Sequence, residues 1–385
     1  MKVLIFTNIA PLYRKPLWLE FLKNKDYNYQ FIFGSNERSN IREINFDANE
    51  FDKYRDKINL VKNIYFKKRY LIWQKSVIKI CYNTDAKAVI LTGDLWVLSN
   101  WIASILLRTR GIKVNFWSHG IYGNEFKLKK FIRKLFFKLA NDHLLYERRG
   151  KKMMIKSGFK KNNLHVIFNS LDYVKSKELR IQATQLIKQD VYPFFANVDL
   201  PVIIFVGRLT KIKKLDLIIE ALNNLSNKKI EMNLLFVGDG SEKEELEKLS
   251  VQKMNKENFY FYGACYSEEK LAKLISMADL CVSPGNVGLT AIHSLSYGTP
   301  VLTHNNFNNQ MPEVEVISDG LNGCFFEEND IESLANSIAK WLLSKDAKSR
   351  NDIRKDCYKV IDTFYNPEYQ MQVVKNLLNG GDPLV

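Results

Sequence analysis

Two glycine-bearing segments and one histidine hold most of the groups in this 385-residue chain that are spaced for chemistry. The first is Val206-Gly207-Arg208-Leu209-Thr210-Lys211-Ile212-Lys213-Lys214, which follows an apolar run and opens a helix-period segment. In an open α/β sheet, ligands bind beyond the carboxyl ends of the strands. Arg208 and Lys213 there would clamp a diphosphate, one as a planar fork and the other as a point charge. A basic solvated loop has the same composition, and spacing alone does not separate the two readings. The second segment, Ser283-Pro284-Gly285-Asn286-Val287-Gly288-Leu289-Thr290-Ala291-Ile292-His293, also joins a strand to a helix. Its glycines admit a ligand close to the backbone, and the helix start offers free N–H groups to a phosphate. In an ordinary connecting loop, His293 would be a satisfied interior histidine. Trp117-Ser118-His119-Gly120 ends an apolar run, where a functional and a structural histidine are both expected. The five histidines (119, 143, 165, 293, 304) make no metal-ligand cluster. Asp-x-Asp, GxSxG, HExxH and GxxxxGK[ST] are all absent.

The elements that must position these groups are legible as short apolar runs. Val3–Phe6, Gln30–Phe33, Ala88–Leu91, Val114–Trp117, His143–Tyr146 and Leu164–Phe168 read as strands in the first half. Val202–Val206, Asn233–Val237, Phe259–Tyr262, Leu280–Ser283, Val301–Thr303 and Gly323–Phe326 do so in the second. Helical patterns such as Leu215–Leu225, Glu242–Lys253, Glu268–Ala278 and Ile331–Leu343 lie among them. Unalternated strands separated by helices imply parallel sheets covered on both faces, and two such series imply two doubly wound α/β domains. The expected division is residues 1–175, then 195–362, with 363–385 a C-terminal helix and tail packing back toward the first domain. A polar stretch and the prolines Pro193 and Pro201 punctuate the break.

Composition narrows the class. Hydrophobic residues are 46% and charged residues 26%, which excludes a disordered or fibrous chain. Five cysteines with no CxxC pair argue against a disulfide framework or a cysteine zinc site and fit a reducing compartment. Residues 1–170 carry 33 Lys and Arg against 13 Asp and Glu, a net of +20, while residues 171–385 carry a net of −5. The basic half therefore expects a polyanionic partner. No segment reads as an export signal or a membrane span.

Taken together, the second half resembles the nucleotide-binding domain of family-4 retaining glycosyltransferases. The resemblance rests on Gly207-Arg208-Leu209 with Lys213, Phe236-Val237-Gly238-Asp239-Gly240, Tyr262-Gly263 and Ala278-Asp279-Leu280-Cys281-Val282-Ser283-Pro284. Gly288-Leu289, Tyr297-Gly298-Thr299-Pro300-Val301 and Asp319-Gly320-Leu321-Asn322-Gly323 complete the series. In the first half, Asn169-Ser170-Leu171-Asp172 resembles the family's Asn-Gly-Val-Asp, and Ser118-His119-Gly120 its cleft histidine. The implied architecture is GT-B, two Rossmann-like domains facing across a cleft. One departure matters: where the family carries two glutamates around this Gly-Leu, this chain has Gly285 and His293. By resemblance the first glutamate contacts the donor sugar and the second the ribose hydroxyls.

The resemblance implies transfer of a sugar from a nucleotide-sugar donor to a saccharide acceptor with retention of configuration, in surface-polysaccharide synthesis of the capsule or O-antigen type. No cofactor is expected and the reaction should be metal-independent, so charge on the departing diphosphate falls to Arg208, Lys213 and helix amides. His119 would position the donor sugar or line the acceptor side. Gly207, Asn286, Val287, Gly288, Leu289 and Thr290 would contact the donor through backbone, and His293 would lie near the ribose. A GT-B nucleotide-sugar epimerase or hydrolase is one alternative. A basic nucleic-acid-binding protein is another, ranked below because no reading module is present, so no nucleic-acid partner is expected.

Lys127–Leu139 adds a location. Apolar residues at 128, 131, 132, 135, 136 and 139 follow helical spacing, with basic residues at 127, 129, 130, 133, 134 and 138. The stripe is expected to pack on the first sheet, with Phe137 beside it toward the polar face, which leaves the cations unexplained. Together with Lys67-Lys68-Arg69 and Arg148–Lys152 they suggest an anionic membrane surface, hence a peripheral enzyme at the cytoplasmic face with a lipid-linked acceptor.

Overall fold

Apolar runs without polar alternation become the inner strands of two sheets in the computed structural model, which describes residues 1–35, 41–66, 70–123, 125–183, 185–343 and 348–385. The chain divides into two compact units, Met1–Asp172 with Asn366–Val385, and Tyr173–Tyr365. The first holds β1 (Lys2–Thr7), β2 (Asn28–Ser35), β3 (Ile58–Phe66), β4 (Leu71–Gln74), β5 (Ala88–Thr92), β6 (Lys113–Ser118), β7 (Asp142–Leu145) and β8 (Leu164–Val166). Their order is β4-β3-β2-β1-β5-β6-β7-β8. All pairs are parallel except β3 with β4, which are antiparallel. The second unit holds β9 (Val202–Val206), β10 (Asn233–Val237), β11 (Phe259–Gly263), β12 (Leu280–Ser283), β13 (Val301–His304) and β14 (Gly323–Phe326), in the order β11-β10-β9-β12-β13-β14. This sheet is parallel throughout.

All six strands expected in the second half are present, the four inner ones as the continuous apolar runs that buried parallel strands require. Strands β3 and β4 were not expected. β3 mixes Asn59, Lys62 and Asn63 into its apolar residues and exposes much of its length, so it lacks the signal of a buried strand.

Residues 173–194, read from sequence as the approach to a domain break, lie within the second unit. The helix Tyr173–Ala183 buries Tyr173, Leu179 and Arg180, and Arg180 Nε donates to Ser296 O at 2.6 Å. Tyr192 OH donates to Leu274 O at 2.5 Å. At the other end, Asn366 caps the helix Pro367–Leu378 by accepting from Tyr369 N. That helix belongs to the first unit: Gln370 Nε2 donates to Phe168 O at 3.1 Å, and Tyr27 OH donates to Asn379 Oδ1 at 2.6 Å.

The helix Lys127–Phe137 is rotated about its axis from its expected orientation, so that of the stripe residues within it Phe136 alone is buried. Leu128 is 71% exposed and Phe131 59%, and Ile132 and Leu135 are exposed as well. Its inward face is Arg133, Phe136 and Phe137. Phe136 stacks on Phe116 with centroids 4.5 Å apart, and Phe137 meets His143 at 5.5 Å. Arg133 is drawn in by Glu125, 2.5 Å away, and by the face of Tyr122. Two aromatic anchors and one buried ion pair thus outweigh the longer aliphatic stripe. Lys67-Lys68-Arg69 lies outside the described residues.

Candidate functional site

At the end of β9 the chain turns through Gly207 into the short helical turn Lys211–Lys213. Gly207 N donates to Val237 O at 2.9 Å, and the next strand end is so close that a Cβ on Gly238 would lie 1.8 Å from Gly207 O. Only glycine fits there. Arg208 is exposed and makes no hydrogen bond or ion pair among the described residues. Lys213 turns inward instead. Its Nζ donates to Asn286 O at 2.6 Å and Asn286 Oδ1 at 2.8 Å, leaving one N–H unspent. Burial pushes Lys213 down to about 8, with Glu313 opposing the shift and Arg208 adding to it.

The β12 loop is bound to this turn. Gly285 N donates to Lys213 O at 2.9 Å. A Cβ on Gly285 would meet Ile212 O at 2.1 Å and Lys213 Cα at 2.7 Å. The place of the family's first glutamate is therefore filled by the backbone of the Lys213 turn, and a side chain at 285 has no room. The loop then opens: a Cβ on Gly288 would meet only Met311 Cγ, at 4.0 Å. Gly288 caps the helix Leu289–Ser296 with no side-chain acceptor; Ala291 N donates to Gly288 O at 2.9 Å, and the Leu289 and Thr290 amides are available to an anion.

Not every residue expected to contact donor does so freely. Val287 is buried and its N–H donates to Gln310 Oε1 at 2.7 Å, which withdraws it from a ligand. Gln310, which sequence reasoning missed, is itself held by Thr303 Oγ1 at 2.9 Å and His304 O at 3.0 Å. The Thr290 hydroxyl is spent on Val206 O at 2.9 Å, tying the helix start to the β9 end. Leu289 and Thr290 remain at the open helix start with their backbone.

His293 lies one turn further along. Its Nε2 is 2.8 Å from Glu268 Oε1, and Tyr297 OH donates to the same oxygen at 2.5 Å. Burial acts to raise the Glu268 carboxyl, but the bonds from His293 and Tyr297 outweigh it and hold the group below the usual range. A carboxylate from the start of the helix Glu268–Met277 thus stands beside the imidazole at 293. Nothing in the local sequence around 293 signalled Glu268, since the two meet only through the packing of two helices.

His119 belongs to the first unit. Its ring lies 4.7 Å from that of Tyr146 and 6.0 Å from that of Tyr122. Burial pushes it down to about 4, with Arg14 and Arg133 adding to the shift, so it is neutral at physiological pH. Arg14, also missed, sits after β1 and donates from Nη2 to Tyr146 OH at 2.5 Å. Among the described residues no group of three or more His, Cys, Asp or Glu is placed to hold a metal ion.

Residues 188–360 match the family model described as Glycosyl transferases group 1. The alpha-D-kanosaminyltransferase of Streptomyces kanamyceticus is 22% identical over 185 residues, 47% of this chain and 46% of that protein. The glycogen synthase of Hydrogenovibrio crunogenus is 31% identical over 134 residues, 32% of this chain and 27% of that enzyme. The chain thus spans about half or less of these relatives. Among solved structures, Anabaena Alr3699/HepE in complex with UDP superposes with a TM-score of 0.70 at 14% identity, covering 98% of this chain and 100% of that one. The lipopolysaccharide outer core galactosyltransferase WaaB gives 0.69 at 16%, covering 98% and 99%. The fold, two Rossmann-like α/β domains with parallel sheets, is that of the GT-B glycosyltransferases.

Proposed function

We propose that the chain transfers a sugar from a nucleotide-sugar donor to a saccharide acceptor, with retention at the anomeric carbon. The observation that carries this reading is the Lys213–Asn286 clasp beside the uncapped helix start at Gly288, with Arg208 exposed nearby. A departing nucleoside diphosphate gains negative charge as the glycosidic C–O bond breaks. Lys213, Arg208 and the helix amides are the groups to stabilise that charge in the transition state. The acceptor hydroxyl attacks the anomeric carbon from the face the diphosphate leaves, and its proton passes to a phosphate oxygen of the leaving group. A front-face route suits a site in which Gly285 leaves no room for a carboxylate nucleophile. The neutral His119 imidazole offers one donor and one acceptor for sugar hydroxyls.

We further propose that the enzyme works peripherally at the cytoplasmic face of a membrane on a lipid-linked acceptor in surface-polysaccharide synthesis. The outward Leu128, Phe131, Ile132 and Leu135 beside Lys127, Lys129, Lys130 and Lys134 support that location. Among the described residues no helix is long and apolar enough to cross a membrane. The test is a thermal-shift panel of UDP-, GDP- and ADP-sugars, since a ligand that binds the native state raises apparent stability by mass action. Product analysis with and without saccharide acceptors follows. A donor that stabilises the protein but is only hydrolysed or epimerised, with every acceptor class, would overturn transfer.

A further inference from the structure

Arg14 is a cation in an aromatic box with no counter-charge. Its guanidinium carbon lies 5.2 Å from the Trp117 ring centroid, 5.1 Å from Tyr146, 5.6 Å from Tyr13 and 5.9 Å from Trp18. Nη2 donates to Tyr146 OH, while Nε is enclosed and has no partner. No carboxylate pairs with Arg14 among the described residues. The neighbouring cations differ in this respect: Arg133 has Glu125 and Lys15 has Glu50, at 2.5 and 2.8 Å.

The surroundings carry further unspent polar atoms. Trp117 Nε1 and His119 Nδ1 are buried without partners, and the His119 ring packs against Tyr146, the acceptor of the Arg14 bond. Burial keeps that imidazole uncharged, and Arg14 and Arg133 add to the effect. Buried polar atoms are nearly always satisfied in native proteins, and a desolvated charge costs stability unless something opposite compensates it. Two unsatisfied ring nitrogens beside a guanidinium that lacks a carboxylate and leaves its own Nε unbonded form a site short of an anion. Its position fits a ligand as well: Leu12–Arg14 follows β1, Trp117 is the last residue but one of β6 and Tyr146 follows β7, all at the carboxyl ends of parallel strands.

We infer that Arg14, with Trp117, His119 and Tyr146, binds an oxyanion borne by the acceptor, a phosphate ester or a sugar carboxylate. A guanidinium matches either with two parallel N–H donors, and the aromatic walls accept the face of a sugar ring. That the anion belongs to the acceptor rests on the transferase reading. The existence of the anion site does not.

The full chain, labelled with 5-fluorotryptophan, would be titrated with methyl phosphate, methyl glucuronide and neutral methyl glucoside while the fluorine signals are followed. Assignment by single Trp→Phe variants identifies Trp117 and Trp18. One or both anions should shift these two signals, and the glucoside should not. A response to methyl phosphate alone assigns a phosphorylated acceptor, and to methyl glucuronide alone a uronic acid. Arg14→Gln should weaken anion binding by about tenfold or more, the loss of a charge-assisted bond. It should leave the thermal shift given by nucleotide-sugar unchanged. Should Arg14→Gln fail to fold, Arg14→Lys keeps the charge without the fork and should lose part of the affinity. Wild-type affinity in the folded variant, or no response of Trp117 and Trp18 to either anion, overturns the site. A wild-type protein that ignores every nucleotide-sugar yet binds anions through Arg14 would instead overturn the transferase reading and keep the site.

Discussion

Gly285 and Ile212 face each other so closely that a Cβ on Gly285 would lie 2.1 Å from the Ile212 carbonyl oxygen. Gly285 N donates to Lys213 O at 2.9 Å, and Lys213 Nζ returns two bonds to Asn286. The two loops are thus joined through backbone and one lysine. By the family resemblance a glutamate is the expected residue at 285, and here its space is taken by the lysine turn.

Restoring that residue should therefore damage the site. Gly285→Ala is expected to lower stability by about 1–3 kcal/mol, the range for forcing atoms into a filled space. It should also weaken nucleotide binding by displacing Lys213. Gly285→Glu should be worse on both counts. Thermal denaturation of the unliganded variants checks this, and an alanine variant melting with wild type would show that the turn yields freely.

Lys213 gives a pH dependence. Burial holds it at about 8, so it loses its proton well below the ordinary lysine range. A bound diphosphate favours the charged form. Donor affinity should fall as pH rises through about 8, and binding at pH 8 to 9 should take up protons. Titration calorimetry in buffers of different ionisation enthalpy measures the uptake. Lys213→Met should abolish both the uptake and most of the affinity, while an unchanged uptake would assign the proton elsewhere.

How far the sequence foretells this site depends on the kind of contact. Strands β9, β10, β12 and β13 are buried along nearly their whole length and read as plain apolar runs, so the positions of Gly207, Asn286 and Gly288 beyond strand ends were legible. Strand β3, with Lys62 and Asn63 inside it, was not. Arg14 and Glu268 were missed because their partners Tyr146 and His293 are 132 and 25 residues away, and nothing local marks either pairing. The helix at 127–137 misled for a related reason. Spacing showed an apolar stripe, but Phe136, Phe137 and the Arg133–Glu125 pair decide which face turns inward.

The Glu268–His293 pair should act as one unit in nucleotide binding. With Tyr297 donating to the same carboxylate oxygen, the imidazole is oriented and the other carboxylate oxygen is left for a hydroxyl pair. Glu268→Gln and His293→Ala are each expected to weaken nucleotide affinity by about tenfold, and the double variant by little more, as for residues of one network. A double-mutant cycle in calorimetry decides. Additive losses would separate the two, and unchanged affinity with a lowered melting temperature would make the pair purely structural.

Two buried histidines and the half-buried His119 should make the first unit acid-labile. Burial pushes His143 down to about 3, and His119 and His165 to about 4. An unfolded histidine binds its proton near pH 6.5. Across the window from about 6.5 to 4 the unfolded state holds more protons, so stability is full above it and declines as pH falls, by up to about 1.4 kcal/mol per pH unit for each histidine. His143→Phe should flatten that decline, because its ring already packs among Phe116, Phe137 and Phe159. Urea unfolding at pH 7 and pH 5 measures it, and parallel losses in wild type and variant would place the acid sensitivity in other groups.

The outward face of the 127–137 helix gives the membrane prediction. Leu128, Phe131, Ile132 and Leu135 are exposed, so replacing them with serine removes no core contact and should leave the melting temperature nearly unchanged. The same residues would enter the interfacial region of a bilayer, while Lys127, Lys129, Lys130 and Lys134 remain at the headgroups. Each lysine near an anionic surface contributes about 1 kcal/mol of attraction, which salt screens. Flotation should therefore find the protein on anionic liposomes at low salt and not on neutral ones. Leu128→Ser with Phe131→Ser should weaken binding at every ionic strength, whereas Lys129→Glu with Lys130→Glu should abolish it mainly at low salt. Arg133 serves as the internal control: it is buried against Glu125, so Arg133→Ala should destabilise the fold and is not a surface probe. If anionic liposomes fail to float the wild-type protein at low salt, the peripheral location falls, while the donor-site predictions stand on their own measurements.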